Sequence, residues 1–193
     1  WYPGAQGGRA IAQMIFGKFS PEGKLPVTFY RTSEELPEFT DYSMKNRTYR
    51  YMENEALYPF GYGLSYTKFE CSAGIEAADV LTADSTVKVK AALTNAGAYD
   101  GAETVQVYVK AKDVPGAPNY QLKGLRKLRL AAGETKQTEI TLDMRAFGLF
   151  TEEGEKLIFP GEYEIYVGIC QPDARSIALT GSKPQVFTVK CGE

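Results

Sequence analysis

From residue 87 onward, apolar side chains recur at every second position in short runs, and the runs are broken about every ten residues by glycine, proline or asparagine. Val87, Val89 and Ala91 alternate with Lys88 and Lys90 before Asn95-Ala96-Gly97. Val105, Val107 and Val109 alternate with Gln106 and Tyr108 and stop at Pro115-Gly116. Further runs cover residues 127–130, 138–142, 161–168 and 185–189. A period of two fits a pleated strand with one buried face, and a helix cannot satisfy it. About seven such strands over residues 68–193 predict an antiparallel β-sandwich.

One stretch carries both periods. Leu122, Leu125 and Leu128 are spaced as on a helix, whereas Leu128 and Leu130 are spaced as on a strand. Gly124 weakens a helix and all neighbouring segments are strands, so the strand reading is preferred.

Residues 1–67 follow different rules. Ile11, Met14 and Ile15 recur at helical spacing between Gly8 and Gly17, which predicts a helix over residues 9–16. Ser20-Pro21-Glu22-Gly23 reads as a turn, and residues 25–30 as a short strand. Residues 32–54 are polar and irregular and are expected to form a surface excursion. One helix, one or two strands and a coil cannot enclose an α/β layer, which needs several strands covered on both faces. These residues are therefore expected to be the tail of a domain whose body lies upstream, or to fold back on the sandwich. The opening Trp1-Tyr2-Pro3-Gly4 has the look of a cut from a longer polypeptide and shows no signal peptide.

Composition narrows the chemistry. The chain has 193 residues and no histidine, which excludes Ser-His-Asp and Cys-His catalysis and His-ligated metals within it. Cys71, Cys170 and Cys191 are odd in number and far apart, and suit unpaired thiols in a reducing compartment, a lean towards the cytoplasm. A net charge of −2 creates no field that would recruit nucleic acid, and no apolar run is long enough to span a membrane. No cofactor, metal, nucleic-acid or membrane partner is expected.

Several motifs resemble glycoside hydrolase family 3. Trp1-Tyr2-Pro3-Gly4-Ala5-Gln6-Gly7-Gly8 resembles its YPGQxGG segment, and residues 17–29 resemble its GxxxPxG[KR]LPV[ST][FW] stretch. Arg47-Thr48-Tyr49-Arg50-Tyr51, followed by residues 58–67, resembles RTYRY…YPFGYGLSYT. Thr94-Asn95-Ala96-Gly97, residues 101–109, Leu122-Lys123-Gly124-Leu125, residues 132–135 and residues 159–163 are similar to its fibronectin type III-like domain, with Ala132 where the family usually has proline. The resemblance implies two units: residues 1–67 as the C-terminal end of an α/β-sandwich domain, and residues 68–193 as a fibronectin III/immunoglobulin-like β-sandwich. It also implies a parent enzyme that hydrolyses β-glucosides or β-xylosides with retention. In such enzymes an upstream barrel supplies an aspartate nucleophile and the α/β-sandwich a glutamate acid/base, leaving no catalytic residue in this chain. The partners so implied are the upstream catalytic domains of the same polypeptide.

The residues offer few competing sites. Glu34, Glu35, Asp41, Glu53 and Glu55 are carboxylates in polar coil, where solvation is the ordinary state and nothing sets one against another. Gly4, Gly7 and Gly8 precede a helix but fit neither a Walker A loop nor a dinucleotide fingerprint, and are read as a tight turn. Trp1 and Tyr2 could face a sugar cleft, though core packing is preferred for Trp1. Tyr58, Phe60, Tyr62, Tyr66 and Phe69 are read as cement between two units rather than as a sugar platform. Lys123, Arg126, Lys127 and Arg129 are read as a solvated strand face, and the Asn46-Arg47-Thr48 sequon as incidental.

Two rival readings differ in class. A free-standing module that binds carbohydrate or protein requires a row of exposed coplanar aromatics on one sheet. Tyr108, Tyr163, Tyr166 and Phe187 are few for that and are expected to point mostly inward. A separately encoded subunit that completes an enzyme in trans requires an upstream partner that copurifies with it.

Overall fold

The computed structural model describes residues 2–192. Beyond the N-terminal segment lie two facing antiparallel sheets. One has the strand order β1-β2-β5, with β1 at Phe69–Glu76, β2 at Thr86–Asn95 and β5 at Thr135–Asp143. The other has the order β4-β3-β8-β9, with β3 at Gly101–Ala111, β4 at Gln121–Leu130, β8 at Gly161–Gly168 and β9 at Gln185–Cys191. A small ribbon, β6 (Leu149–Phe150) with β7 (Lys156–Leu157), sits between β5 and β8 in the chain.

Strict alternation places one side of each strand in a common core. Val87, Val89, Ala91 and Leu93 of β2 meet Val105, Val107 and Val109 of β3, Ile140 and Leu142 of β5, and Tyr163, Ile165 and Val167 of β8. Tyr163 turns its hydroxyl back to donate to Phe159 O at 2.9 Å, a tyrosine-corner contact that seals the entry to β8. Leu81 closes the end of the core, hydrogen bonded to Lys190 O and Gly192 N.

The ambiguous stretch at residues 122–130 is strand. Gly124 lies opposite Val107, where the β3–β4 register shifts, and a Cβ there would stand 2.6 Å from Ile140 Cγ2 of the facing sheet. The glycine lets β4 approach β5 closely.

The first 67 residues contain α1 (Gly7–Ile15), a 3₁₀ turn at Ser33–Glu35 and α2 (Thr48–Tyr51). Residues 25–30 are not a strand. They exchange backbone hydrogen bonds with residues 57–62, but only Phe29–Tyr58 forms a bridge, because no further strand lies beside them among the described residues. The excursion at residues 32–54 is exposed for most of its length, yet its end turns inward. Met52 is buried, and Tyr49 packs on the sandwich. A third helix, α3 (Ala174–Thr180), was not expected; it starts at Asp173, which accepts from Ser176 N, and ends at left-handed Gly181.

Candidate functional site

The β3 strand is buried on both faces along Gly101–Val109. One face belongs to the core. The other carries Thr104, Gln106 and Tyr108, and the N-terminal segment lies against it. At its centre, Gln106 Nε2 donates to Gly61 O and to Ile169 O, each at 3.1 Å, and Gln106 Oε1 accepts from the Tyr108 hydroxyl at 2.6 Å. Each polar atom of the buried amide is thus paired, as burial demands. Gly61 adopts φ +77, and a Cβ on it would meet Gln106 Oε1 at 2.5 Å and the Tyr108 hydroxyl at 2.9 Å. This explains the glycine between Phe60 and Tyr62: the backbone comes too close for a side chain, and its φ disfavours one.

Aromatic rings surround this amide. Tyr49 stacks on Phe60 with centroids 4.4 Å apart, meets Tyr108 edge-on at 6.1 Å, and accepts a hydrogen bond from Leu122 N through its hydroxyl. Tyr120 meets Tyr108 edge-on at 5.7 Å. Such pairs contribute about 0.5–1.5 kcal/mol each beyond buried area. Burial pushes the Tyr108, Tyr120 and Tyr166 phenols well above their ordinary range, so all stay protonated at neutral pH.

Polar ties extend the seam in both directions. Lys24 reaches both carboxylate oxygens of Glu103 at 2.8 Å, with the two side chains 16% and 7% exposed. Ser20 and Ser65 share a hydrogen bond at 2.9 Å, and Tyr66 donates through its hydroxyl to Met14 O. Asn95 Oδ1 accepts from Thr67 Oγ1 at 2.6 Å and from Gly97 N, while its Nδ2 donates to Tyr99 O. The Thr-Asn-Ala-Gly motif is thus a turn that grips the incoming chain.

Where the segment parts from the sandwich it leaves a cleft of about 370 Å³, with Thr28 and Glu53 on one wall and Tyr120, Tyr166, Gln171 and Arg175 on the other. These residues are dispersed in sequence, and only Glu53 and Tyr166 among them stand out as candidates from sequence alone. No linear signal joins them.

The carboxylates weighed above have separate local surroundings. Glu34 and Glu35 lie in the exposed 3₁₀ turn. Asp41 is held below the usual carboxylate range by hydrogen bonds from Ser43 N and Oγ, the opposite of what a general acid needs. Glu55 pairs with Arg31, and Glu53 lines the cleft. Among the described residues no group of three His, Cys, Asp or Glu is placed to hold a metal ion.

The remaining motif residues have local roles. Gly7 opens α1, where a Cβ would collide with Pro3, and Tyr2 is fully exposed; Trp1 lies outside the described residues. Glu22 of the N-terminal segment bridges Arg129 at 2.7 Å and Lys127 at 3.7 Å, so the basic strand face is partly neutralised from across the seam. Asn46 takes φ +56, and its Oδ1 accepts from Glu53 N, so the sequon asparagine serves a turn. All three cysteines are free, and burial pushes the Cys71 and Cys191 thiols up to about 11. Of the aromatic run, Phe69 is buried and Phe60 half-buried, whereas Tyr58 and Tyr66 keep nearly half their surface exposed. Tyr108 and Tyr163 are buried as expected, but Tyr108 lies on the outer face of its sheet, under the N-terminal segment. The exposed positions on the outer face of β1-β2-β5, among them Glu70, Ser72, Lys88, Lys90, Glu139 and Thr141, include no aromatic ring.

Comparison with known proteins places this architecture. Residues 1–66 match the family model for the glycosyl hydrolase family 3 C-terminal domain, and residues 103–169 match that for the fibronectin type III-like domain. The chain belongs to glycosyl hydrolase family 3, of whose proteins it carries the C-terminal part. A xylan 1,4-beta-xylosidase of Xylanibacter ruminicola is 42% identical over 93% of this chain and 21% of its own length. An exo-alpha-(1->6)-L-arabinopyranosidase of Bifidobacterium longum is 37% identical over 97% of this chain and 27% of its own length. Crystal structures of the beta-glucosidase from Listeria innocua with glucose and with isofagomine superpose with a TM-score of 0.79 at 28% identity, over 100% of this chain and 27% of theirs. The chain thus spans about a quarter of the length of these family 3 relatives. Its β-sandwich is the family's fibronectin-like unit, with β1 and β2 preceding the matched residues and β9 following them.

Proposed function

We propose that this chain is the non-catalytic C-terminal part of a longer retaining β-glycosidase acting on β-glucosides or β-xylosides. Residues 1–67 complete an α/β-sandwich domain whose body is upstream, and residues 68–193 form the sandwich that buttresses it. The nucleophile and acid/base come from upstream, and this chain supplies neither.

One observation carries the reading. Of the twenty large apolar side chains exposed among the described residues, fourteen lie in the first 66. The α1 helix is amphipathic yet buries no residue, and Ile15 and Phe16 are 65% and 82% exposed. An apolar surface so concentrated marks an interface awaiting its counterpart. The sandwich side of the same segment is already satisfied by the Gln106, Tyr49 and Glu103 contacts, so the missing counterpart faces away from it. Relatives with three different printed sugar specificities share this segment at 28–42% identity, which supports a scaffold rather than a sugar-selecting role.

The test compares the full-length polypeptide with a truncation that ends before residue 68. Removing the sandwich exposes Gln106's partners at Gly61 and the Tyr49–Phe60 stack. The truncated enzyme is expected to unfold at lower temperature and to lose activity on aryl β-glycosides in parallel. A truncated enzyme with unchanged thermal stability and turnover contradicts the buttress role.

A further inference from the structure

We propose that the cleft between the N-terminal segment and the sandwich is a binding site for a neutral saccharide ring. Its volume, about 370 Å³, lies in the range of small-ligand pockets and admits one or two sugar units. Tyr120 and Tyr166 supply apolar ring surface on the sandwich wall. Other lining residues carry hydrogen-bonding groups suited to hydroxyls, among them the Glu53 carboxylate, the Asn54 amide, the Lys110 ammonium and the Arg175 guanidinium.

The hydrogen-bond inventory singles out this cleft. Two oxygens belonging to its lining residues, Gln171 Oε1 and Thr28 Oγ1, are buried without a partner. Gln171 is 2% exposed and uses its Nε2 to donate to Asp173 Oδ2 at 3.2 Å, leaving the acceptor half of the amide unused. Of three such orphaned side-chain atoms among the described residues, two belong to this one cleft. A buried acceptor without a donor costs about 1–3 kcal/mol. A ligand hydroxyl, entering with a rotation of the Gln171 amide, would remove that cost. The Tyr120 hydroxyl also has no hydrogen-bond partner among the described residues, and Arg175 is held only by Leu57 O at 3.3–3.4 Å.

Charge selects the ligand class. Glu53, Glu55 and Asp173 oppose Lys110 and Arg175 around the rim, so neither an anion nor a cation meets a field of one sign. Aromatic surface beside mixed planar polar groups fits a pyranose, which presents an apolar face and a hydroxyl edge.

The test is hydrogen–deuterium exchange of the full-length polypeptide with glucose, with xylose and with sorbitol as acyclic control. Either sugar is expected to protect the segments around residues 52–56, 119–121 and 166–175, with sorbitol giving at most a small fraction of that effect. Tyr120→Phe, which keeps the ring packing, and Gln171→Leu, which keeps the volume, are each expected to weaken the protecting affinity about 3–10-fold, the loss of one hydrogen bond. No protection of these segments by either sugar, equal protection by sorbitol, or undiminished affinity in both variants would overturn the proposal. Only the choice of polypeptide rests on the glycosidase reading. Protection in a polypeptide inactive on aryl glycosides would sink that reading and leave the saccharide site standing.

Discussion

Gln106 and Gly61 lie 45 residues apart, and the Gln106 side-chain amide donates to the Gly61 carbonyl at 3.1 Å through the centre of a buried seam. The contact ties the Tyr-Pro-Phe-Gly-Tyr-Gly segment to β3, a central strand of the larger sheet. It makes the sandwich and the N-terminal segment parts of one packed object, and the account of the chain as a buttress turns on it.

Gly61→Ala tests the closeness of that approach. The new Cβ meets two buried polar atoms, and the backbone sits at φ +77, where L side chains are strained. We expect a loss of about 2–3 kcal/mol in urea unfolding, with the midpoint shifted and the slope unchanged.

Lys24 and Glu103 form an ion pair largely withdrawn from water. Lys24→Met leaves the Glu103 carboxylate without its cation, and we expect a cost of about 3–5 kcal/mol. The double variant Lys24→Met/Glu103→Leu removes the stranded charge and is expected to recover most of it. A double-mutant cycle by chemical denaturation reads the coupling; a coupling near zero would show that the pair contributes nothing to the seam.

Gly124→Ala tests the packing of β4 against β5. Strand propensity alone favours alanine over glycine, but Ile140 Cγ2 occupies the space a methyl needs. We expect destabilisation by about 1–3 kcal/mol, read as a lower thermal midpoint.

Lys123 gives a pH dependence of definite sign. Burial, reinforced by Lys156 and Arg50, lowers its ammonium to about 8 from an ordinary 10.5. Between those values the unfolded chain binds more protons than the folded one, so this lysine makes stability rise with pH across about 8 to 10.5, and its penalty is complete below 8. Cys71 and Cys191, pushed up to about 11, act in the opposite direction above 9. The difference between the chain and its Lys123→Met variant isolates the lysine. The variant is expected to be the more stable at pH 7, with the gap narrowing as pH approaches 10.5. A gap that is constant with pH would contradict the assignment.

The sandwich was legible in sequence wherever a strand has one face in the core. In β2, β5 and β8 the alternation of Val87 with Lys88, Ile140 with Thr141, and Ile165 with Tyr166 is imposed by that burial. In β3 the pattern persisted although both faces are buried, because its outer face packs polar Gln106 and Tyr108 against the N-terminal segment rather than aliphatic residues. The first strand, β1, was counted but not located, since Cys71, Ala73 and Gly74 give a weak apolar signal. The α3 helix, seven residues long, is faint in sequence because its helix-specific signals are only an Asp173 cap and a terminal Gly181. Residues 25–30 read as a strand from composition but lack the neighbours that a sheet requires. The cleft was illegible for a different reason: Thr28, Glu53, Tyr120 and Gln171 come from four separate parts of the chain, and only the folded seam brings them together.

The most direct measurement of the central claim is hydrolysis of nitrophenyl β-glucoside and β-xyloside by the purified 193-residue chain, beside the full-length polypeptide at equal molarity. The account predicts release at the buffer rate from the chain alone and turnover from the longer polypeptide. Steady turnover by the chain alone, abolished by no contaminant-removal step, would contradict it.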